Sequence, residues 1–274
     1  MDLGLRGRAA LVSGGSKGIG RATARALAAA GVRVAIVART PSGVEEAASA
    51  LADEVGAVVH WLAADMTDDA QVRRAVSEAV DAVGPLDIAI SNVIGHVLDA
   101  SSPGPHPGHF VDTTPDDVRA ELRQLAGSSW SLASAVLPGM IERGWGRIIN
   151  VGSRVAREPN PDIPHALPNI VRPVVAGLHA ALAHRVAGTG VTVNSVLTGA
   201  ITTERNRAYH TWLAGQWGTT YDDVVRRRTS SVPVRRMGSP HEMATLIAFL
   251  CSVPAGAING QSIPIDGGLS RFLW

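Results

Sequence analysis

The chain has 274 residues, 46% of them apolar and 18% charged, which suits one domain with a substantial core. Lys plus Arg number 25 against 24 Asp plus Glu, so there is no basic field of the kind that nucleic acid or an anionic membrane surface attracts. The lone Cys251 cannot form an intramolecular disulfide, no segment has the form of a secretion signal, and no run approaches the roughly 20 apolar residues of a membrane span; a soluble, cytoplasmic protein without a metal site is expected.

The first element reads Ala9-Ala10-Leu11-Val12-Ser13, an apolar run of strand length. Gly14-Gly15-Ser16-Lys17-Gly18-Ile19-Gly20 follows, then an alanine-rich helical stretch from Arg21 to Ala30. Glycines permit positive φ and close approach to a phosphate, and the free N–H groups of the next helix favour an anion. Further strands are predicted at 32–37, 57–63, 86–91, 146–151, 191–196 and 262–265, and helices at 19–30, 43–55, 69–83, 115–143, 170–187 and 240–251. Strands this apolar need cover on both faces. Their alternation with helices predicts an α/β fold over 1–274: a doubly wound, Rossmann-type, parallel seven-stranded sheet with helices on both faces. Ligands of such sheets bind beyond the carboxyl ends of the strands, where the glycine turn, Asp65, Asn92, Ser153 and Thr198-Gly199 all fall. Two segments break the rhythm: 95–114, rich in Gly, Pro and His, and 198–232, which holds Tyr209, Trp212, Trp217 and Tyr221.

The spacing of Ser13-Gly14, Gly18 and Gly20 resembles the glycine turn of the short-chain dehydrogenase/reductase family. Asp65 resembles its adenine-contacting aspartate, Ser91-Asn92-Val93-Ile94-Gly95 a decayed form of its Asn-Asn-Ala-Gly motif, and Gly146-Arg147-Ile148-Ile149-Asn150-Val151-Gly152-Ser153 the strand that ends in its catalytic serine. Val191–Val196 and the stretch from Arg236-Met237-Gly238 to Asp266-Gly267-Gly268 are similar too, so the resemblance covers nearly the whole chain. It implies a dinucleotide held by Ser13, Gly14, Ser16, Lys17, Gly18, Ile19 and Gly20, by Asp65, Met66 and Asn92, and by Thr198, Gly199, Ile201 and Thr203. It also implies that 198–232 is a substrate lid. The lid's aromatics fit an apolar or aromatic substrate, or equally lid packing or a subunit contact, and members of the family are commonly homodimers or homotetramers.

NAD-preferring proteins place an acid after the second strand, where this chain has Val37-Ala38-Arg39-Thr40. Arg39, with Lys17 in the turn, can instead bracket a 2′-phosphate, which favours NADP(H) over NAD(H). The family's catalytic tyrosine and lysine fall on Pro168 and Arg172, and its relay asparagine on Leu125; Ser153 alone is retained. No tyrosine occurs between 1 and 208. Proline carries no ionisable group, and arginine is a poor proton donor near neutral pH, though Arg172 keeps a cation that can hold the ribose. The candidate proton donors are His165 and His96, with Tyr209 or Tyr221 swinging in from the lid as further options, while Asn169 suits hydrogen bonding to the substrate. The halohydrin dehalogenase branch also carries an arginine in the lysine position, but it keeps its tyrosine and gives up the nucleotide turn, the reverse of this chain. The resemblance thus implies an NADP(H)-dependent oxidoreductase acting on a carbonyl or secondary alcohol with a non-standard proton donor. The alternatives are a nonredox lyase, isomerase or cyclase using the same pocket, and a catalytically silent NADP-binding subunit of a hetero-oligomer.

Overall fold

Strand β1 (Ala9–Ser13) is buried along its whole length, as a strand covered on both faces must be. The structure is a computed structural model that describes residues 2–93, 113–159 and 166–272. After β1 come α1 (Gly18–Ala29), β2 (Arg33–Ala38), α2 (Pro41–Val55), β3 (Val59–Ala63), α3 (Asp69–Val83) and β4 (Ile88–Ser91). The second half runs α4 (Pro115–Leu122), α5 (Ser128–Glu142), β5 (Gly146–Ser153), α6 (Ala166–Arg185), β6 (Val191–Thr198), α7 (Glu204–Trp217), α8 (Tyr221–Thr229), α9 (Pro240–Leu250) and β7 (Ser262–Ile265).

All seven strands are parallel, in the order β3-β2-β1-β4-β5-β6-β7. Side chains alternate across the sheet and build two cores. Ala10, Val12, Val34, Ile36 and Ile149 meet α1, α2 and α9 on one face. Leu11, Ala35, Val37, Ile148 and Val193 meet α3, α5 and α6 on the other. Helix starts are capped as their residues dictate: Asp68 accepts from the N–H groups of Ala70 and Gln71, and Thr114 and Ser239 form capping boxes with Asp117 and Glu242.

Three expectations are refined. The single helix over 115–143 is two helices joined by a π turn at Arg123–Gly127, where Ser128 Oγ donates to the Gln124 carbonyl at 2.5 Å. The helix drawn from 170 starts at Ala166, because Pro168 sits in its first turn, where a missing N–H costs nothing. The 198–232 segment, read as a break in the pattern, folds into α7 and α8, which pack chiefly on each other. Most of 95–114, with His96, and also His165 lie outside the described residues. By length and mean hydropathy (1.3), α6 is the one described helix that would suit a membrane, yet it packs on β5, β6 and the π turn as a core helix of the fold.

Candidate active site

The strand order reverses between β1 and β4, and the crevice this opens at their carboxyl ends is braced by side chains. Ser13 Oγ accepts the Asn92 N–H at 2.8 Å, and Asn92 Nδ2 donates to the Gly14 carbonyl at 3.3 Å. Gly14 has φ +61°, and a Cβ there would lie 2.5 Å from the Asn92 carbonyl oxygen; one at Gly20 would lie 2.0 Å from that of Gly14. Both positions require glycine. Helix α1 opens at Gly18 with Lys17 as its N-cap, without a side-chain cap or an acid in its first turn. Its first N–H groups, in the stretch that holds Ser16, Ile19 and Gly20, are therefore left to an anion.

Beside the turn, the Gly15 N–H donates to the Val37 carbonyl of β2 at 3.2 Å, and Arg39 follows that strand, exposed and without an ion pair to any described residue. Lys17 is exposed as well, with its Nζ 4.0 Å from Glu204 Oε2 at the start of α7. Asp65 Oδ1 accepts from the Thr67 N–H and hydroxyl at 3.0 and 2.8 Å, which fixes the carboxylate in the turn after β3, and Met66 beside it is buried.

Further along the sheet, the half-buried Ser153 closes β5 and is paired with Thr198 of β6, whose Oγ1 donates to the Gly152 carbonyl at 3.1 Å. A Cβ on Gly199 would fall 2.5 Å from Asp266 Cα, so this strand end also approaches its neighbour as only glycine can. Ile201 forms a parallel bridge with Gly238, and Thr203 then caps α7 by accepting the Asn206 N–H at 3.1 Å. A Cβ on Gly18 would be 3.4 Å from Thr203 Cγ2, so the start of the hairpin rests on the glycine turn.

The first turns of α6 carry Pro168, Asn169 and Arg172. Pro168 is buried and Asn169 half-buried. Burial lowers the pKa of Arg172 below the usual arginine value, and the carboxylate of Glu121 on α4 opposes that shift. Leu125, in the relay position, is apolar packing against Val171 and Val175. The tyrosines of 198–232 are engaged inside the α7–α8 hairpin: Tyr209 stacks on Trp212 with centroids 5.9 Å apart, and Tyr221 lies 6.2 Å from the His210 ring. The guanidinium groups of Arg228 and Arg207 sit 6.0 and 5.9 Å from the Tyr209 and Tyr221 rings. Of the two readings of these aromatics, packing within the α7–α8 hairpin is the one these contacts favour.

Glu121, His179 and His210 are among the buried polar groups that sequence reasoning passed over. Glu121 sits in a helix that otherwise reads as solvent-facing. His179 is held between α5 and α6, its Nδ1 facing the Val175 carbonyl and its Nε2 the Ser129 hydroxyl, each at 2.9 Å. His210 is buried with its Nδ1 lacking a hydrogen-bond partner among the described residues. Of these three, His179 alone had a legible sign, its i+7 spacing from Arg172 and i+4 spacing from Val175 on one face of α6.

The family model described as Enoyl-(Acyl carrier protein) reductase matches residues 14–270. The chain is 33% identical over 267 residues to a protein of Streptomyces virginiae named for a ketoacyl reductase of the monensin polyketide synthase, covering 97% of this chain and 98% of that one. Among solved structures, L-sorbose reductase from Gluconobacter frateurii, complexed with NADPH and L-sorbose, matches with a TM-score of 0.89 at 27% identity, over 99% and 100% of the two chains. A short-chain oxidoreductase from Pseudomonas aeruginosa, with NADPH bound and described as containing an atypical catalytic center, matches with a TM-score of 0.83 at 30% identity, over 97% of each chain.

Proposed function

This chain belongs to the short-chain dehydrogenase/reductase family, and from that premise we propose an NADP(H)-dependent oxidoreductase acting on a carbonyl or a secondary alcohol. The observation that carries the reading is the glycine cradle at the β1/β4 crevice, shut to any Cβ at Gly14 and Gly20 and flanked by Arg39 where an NAD-binding protein would place an acid. Those residues fit the cofactor: the uncapped start of α1 suits its pyrophosphate, and Arg39 with Lys17 suits a 2′-phosphate. When bound, the nicotinamide supplies or accepts the hydride.

The chain's own residues do the rest. Ser153 donates a hydrogen bond to the substrate oxygen, and the Arg172 cation offsets the negative charge that gathers there. Pro168 holds no proton, so the proton comes from a group other than the residue in the tyrosine position, with His165, His96 and solvent as candidates. The segment 198–232 covers the substrate, an apolar or aromatic one. Trp130, Ile170 and Val174, 54%, 38% and 47% exposed on the neighbouring helices α5 and α6, support a homodimer or homotetramer.

A second reading follows from the same proline: nonredox catalysis, or a silent subunit, with the dinucleotide as a fixed component. One experiment separates these. The protein is titrated with NADPH and NADH by fluorescence, and a panel of ketones and quinones is added while the absorbance of the reduced nicotinamide is followed. Preferential NADPH binding with substrate-dependent oxidation is the expected result. Binding without oxidation would move the assignment to the second reading, and no binding would overturn both.

A further inference from the structure

Beyond β7, the segment Asp266–Phe272 lies between the chain that leaves α8 and the turn that follows Ser153. Its bend is held by Asp266, whose Oδ1 accepts the Gly268 N–H at 3.0 Å and whose Oδ2 accepts the Ser270 N–H at 2.9 Å. At one end the Gly267 carbonyl accepts the Val234 N–H at 3.2 Å, and a Cβ on Gly267 would lie 2.5 Å from Val234 Cγ2. At the other end the Arg271 N–H donates to Glu158 Oε2 at 3.0 Å, an oxygen that is also 3.8 Å from Arg154 Nη1. Arg157 Cζ is 4.1 Å from the centre of the Phe272 ring, a cation–π distance, and Arg157 Nη1 donates to the Ser262 carbonyl of β7 at 3.4 Å. Residues 154–158 directly follow Ser153, and their 3-10 turn Arg154–Ala156 packs on α6, the helix of Arg172. The backbone bonds within this turn are those of the Arg157 and Glu158 N–H groups to the Arg154 carbonyl, at 2.9 and 3.2 Å. So short a turn needs outside support to keep a neighbouring side chain in place.

We propose that Asp266–Phe272 is a strap that positions the turn after Ser153 against residues 232–234, with Asp266 and Phe272 as its positioning residues. The strap takes its footing from the sheet through β7 and grips the turn by a ring, a backbone N–H and a shared carboxylate. Ser153 and the place where the chain returns from the α7–α8 hairpin thereby keep a fixed relation. The consequence for catalysis rests on the oxidoreductase reading above, in which Ser153 donates to the substrate oxygen; the strap itself does not.

Hydrogen exchange tests the strap without any substrate. In Phe272→Ala and in Asp266→Ala, the amides of Arg157, Glu158 and Val234 should exchange about fivefold faster than in the wild type, while those of Leu11 and Ile90 in the central strands keep their rates. Phe272→Tyr, which retains the ring, should exchange as the wild type does. Unchanged rates at Arg157 and Glu158 would overturn the strap. So would a rise in Phe272→Ala that spares Val234, because the two ends would then be independent, or one that includes Leu11 and Ile90, because Phe272 would then serve stability at large. Turnover of NADPH with the ketone or quinone that the wild type reduces fastest tests the positioning of Ser153. Phe272→Ala should lower kcat about tenfold with the NADPH Kd unchanged, and Phe272→Tyr should restore kcat. An unchanged kcat, or an equal loss in Phe272→Tyr, would overturn that role. A wild type without turnover would overturn the oxidoreductase reading, and the exchange rates would still decide the strap.

Discussion

Acidification from about pH 7 to about pH 5 should destabilise this protein through His179. The Val175 carbonyl can only accept, so Nδ1 carries the ring proton and Nε2 accepts from the Ser129 hydroxyl; both contacts are 2.9 Å and the side chain is 1% exposed. Burial therefore pushes the pKa from 6.5 down to about 4. A depressed histidine pKa means that, between these two values, the unfolded chain binds a proton that the folded chain refuses. The neutral-imidazole contribution is complete above the unfolded value and is lost as pH falls towards the folded one. At about pH 5 the solution is about 1.5 units below the unfolded pKa, and at ~1.36 kcal/mol per unit the loss is about 2 kcal/mol. His210, also held at about 4 by burial and by the charge of Arg228, adds a loss of the same sign. Urea unfolding of the wild type and of His179→Gln at the two pH values isolates the first contribution. The stability difference between the two pH values should be smaller in the variant by about 2 kcal/mol. An unchanged difference would refute the assignment of a buried, neutral His179.

Three further outcomes are expected. Gly20→Ala places a Cβ 2.0 Å from the Gly14 carbonyl oxygen, and NADPH affinity measured by fluorescence should fall on the order of a hundredfold; retained binding would show that the cradle is not the cofactor site. Arg39→Ala removes an exposed guanidinium free of ion pairs with described residues, and should weaken NADPH about tenfold to a hundredfold while leaving NADH unchanged; equal losses for both would separate Arg39 from the 2′-phosphate. Burial raises the Cys251 thiol to about 12, so an alkylating reagent near neutral pH should label the protein only after unfolding, as mass spectrometry would record.

The glycine turn was legible in the sequence because it depends on backbone shape. Positive φ at Gly14 and the close approach of Gly20 to Gly14 leave glycine as the permitted residue, and a strand before with a helix after locates the turn. The sheet was legible for a similar reason: strands covered on both faces read as apolar runs, and their alternation with helices fixes the parallel order. The π turn at Arg123–Gly127 was not, since its apolar spacing differs from that of a continuous helix by one residue only. Helices α7 and α8 escaped for a different reason. Their apolar positions face each other across the hairpin, so Leu213, Ala214 and Val224 form no long stripe directed at the sheet. Glu121 could not be found at all, because a glutamate in a short charged helix reads as a solvated side chain until a second helix is laid against it.

The same self-packing gives the α7–α8 hairpin a kind of autonomy. Its nucleus of Leu213, Ala214 and Val224, with Tyr209 and Trp212, is separate from the two cores of the sheet, and the Ile201–Gly238 bridge pins the chain at its base. A hairpin built in this way can be redesigned residue by residue, or exchanged for another of equal span, while the strands beneath keep their register and Gly14, Asn92 and Ser13 keep their mutual bracing. Under the proposed lid role, substrate preference becomes open to engineering in a segment whose failure would leave the glycine turn standing.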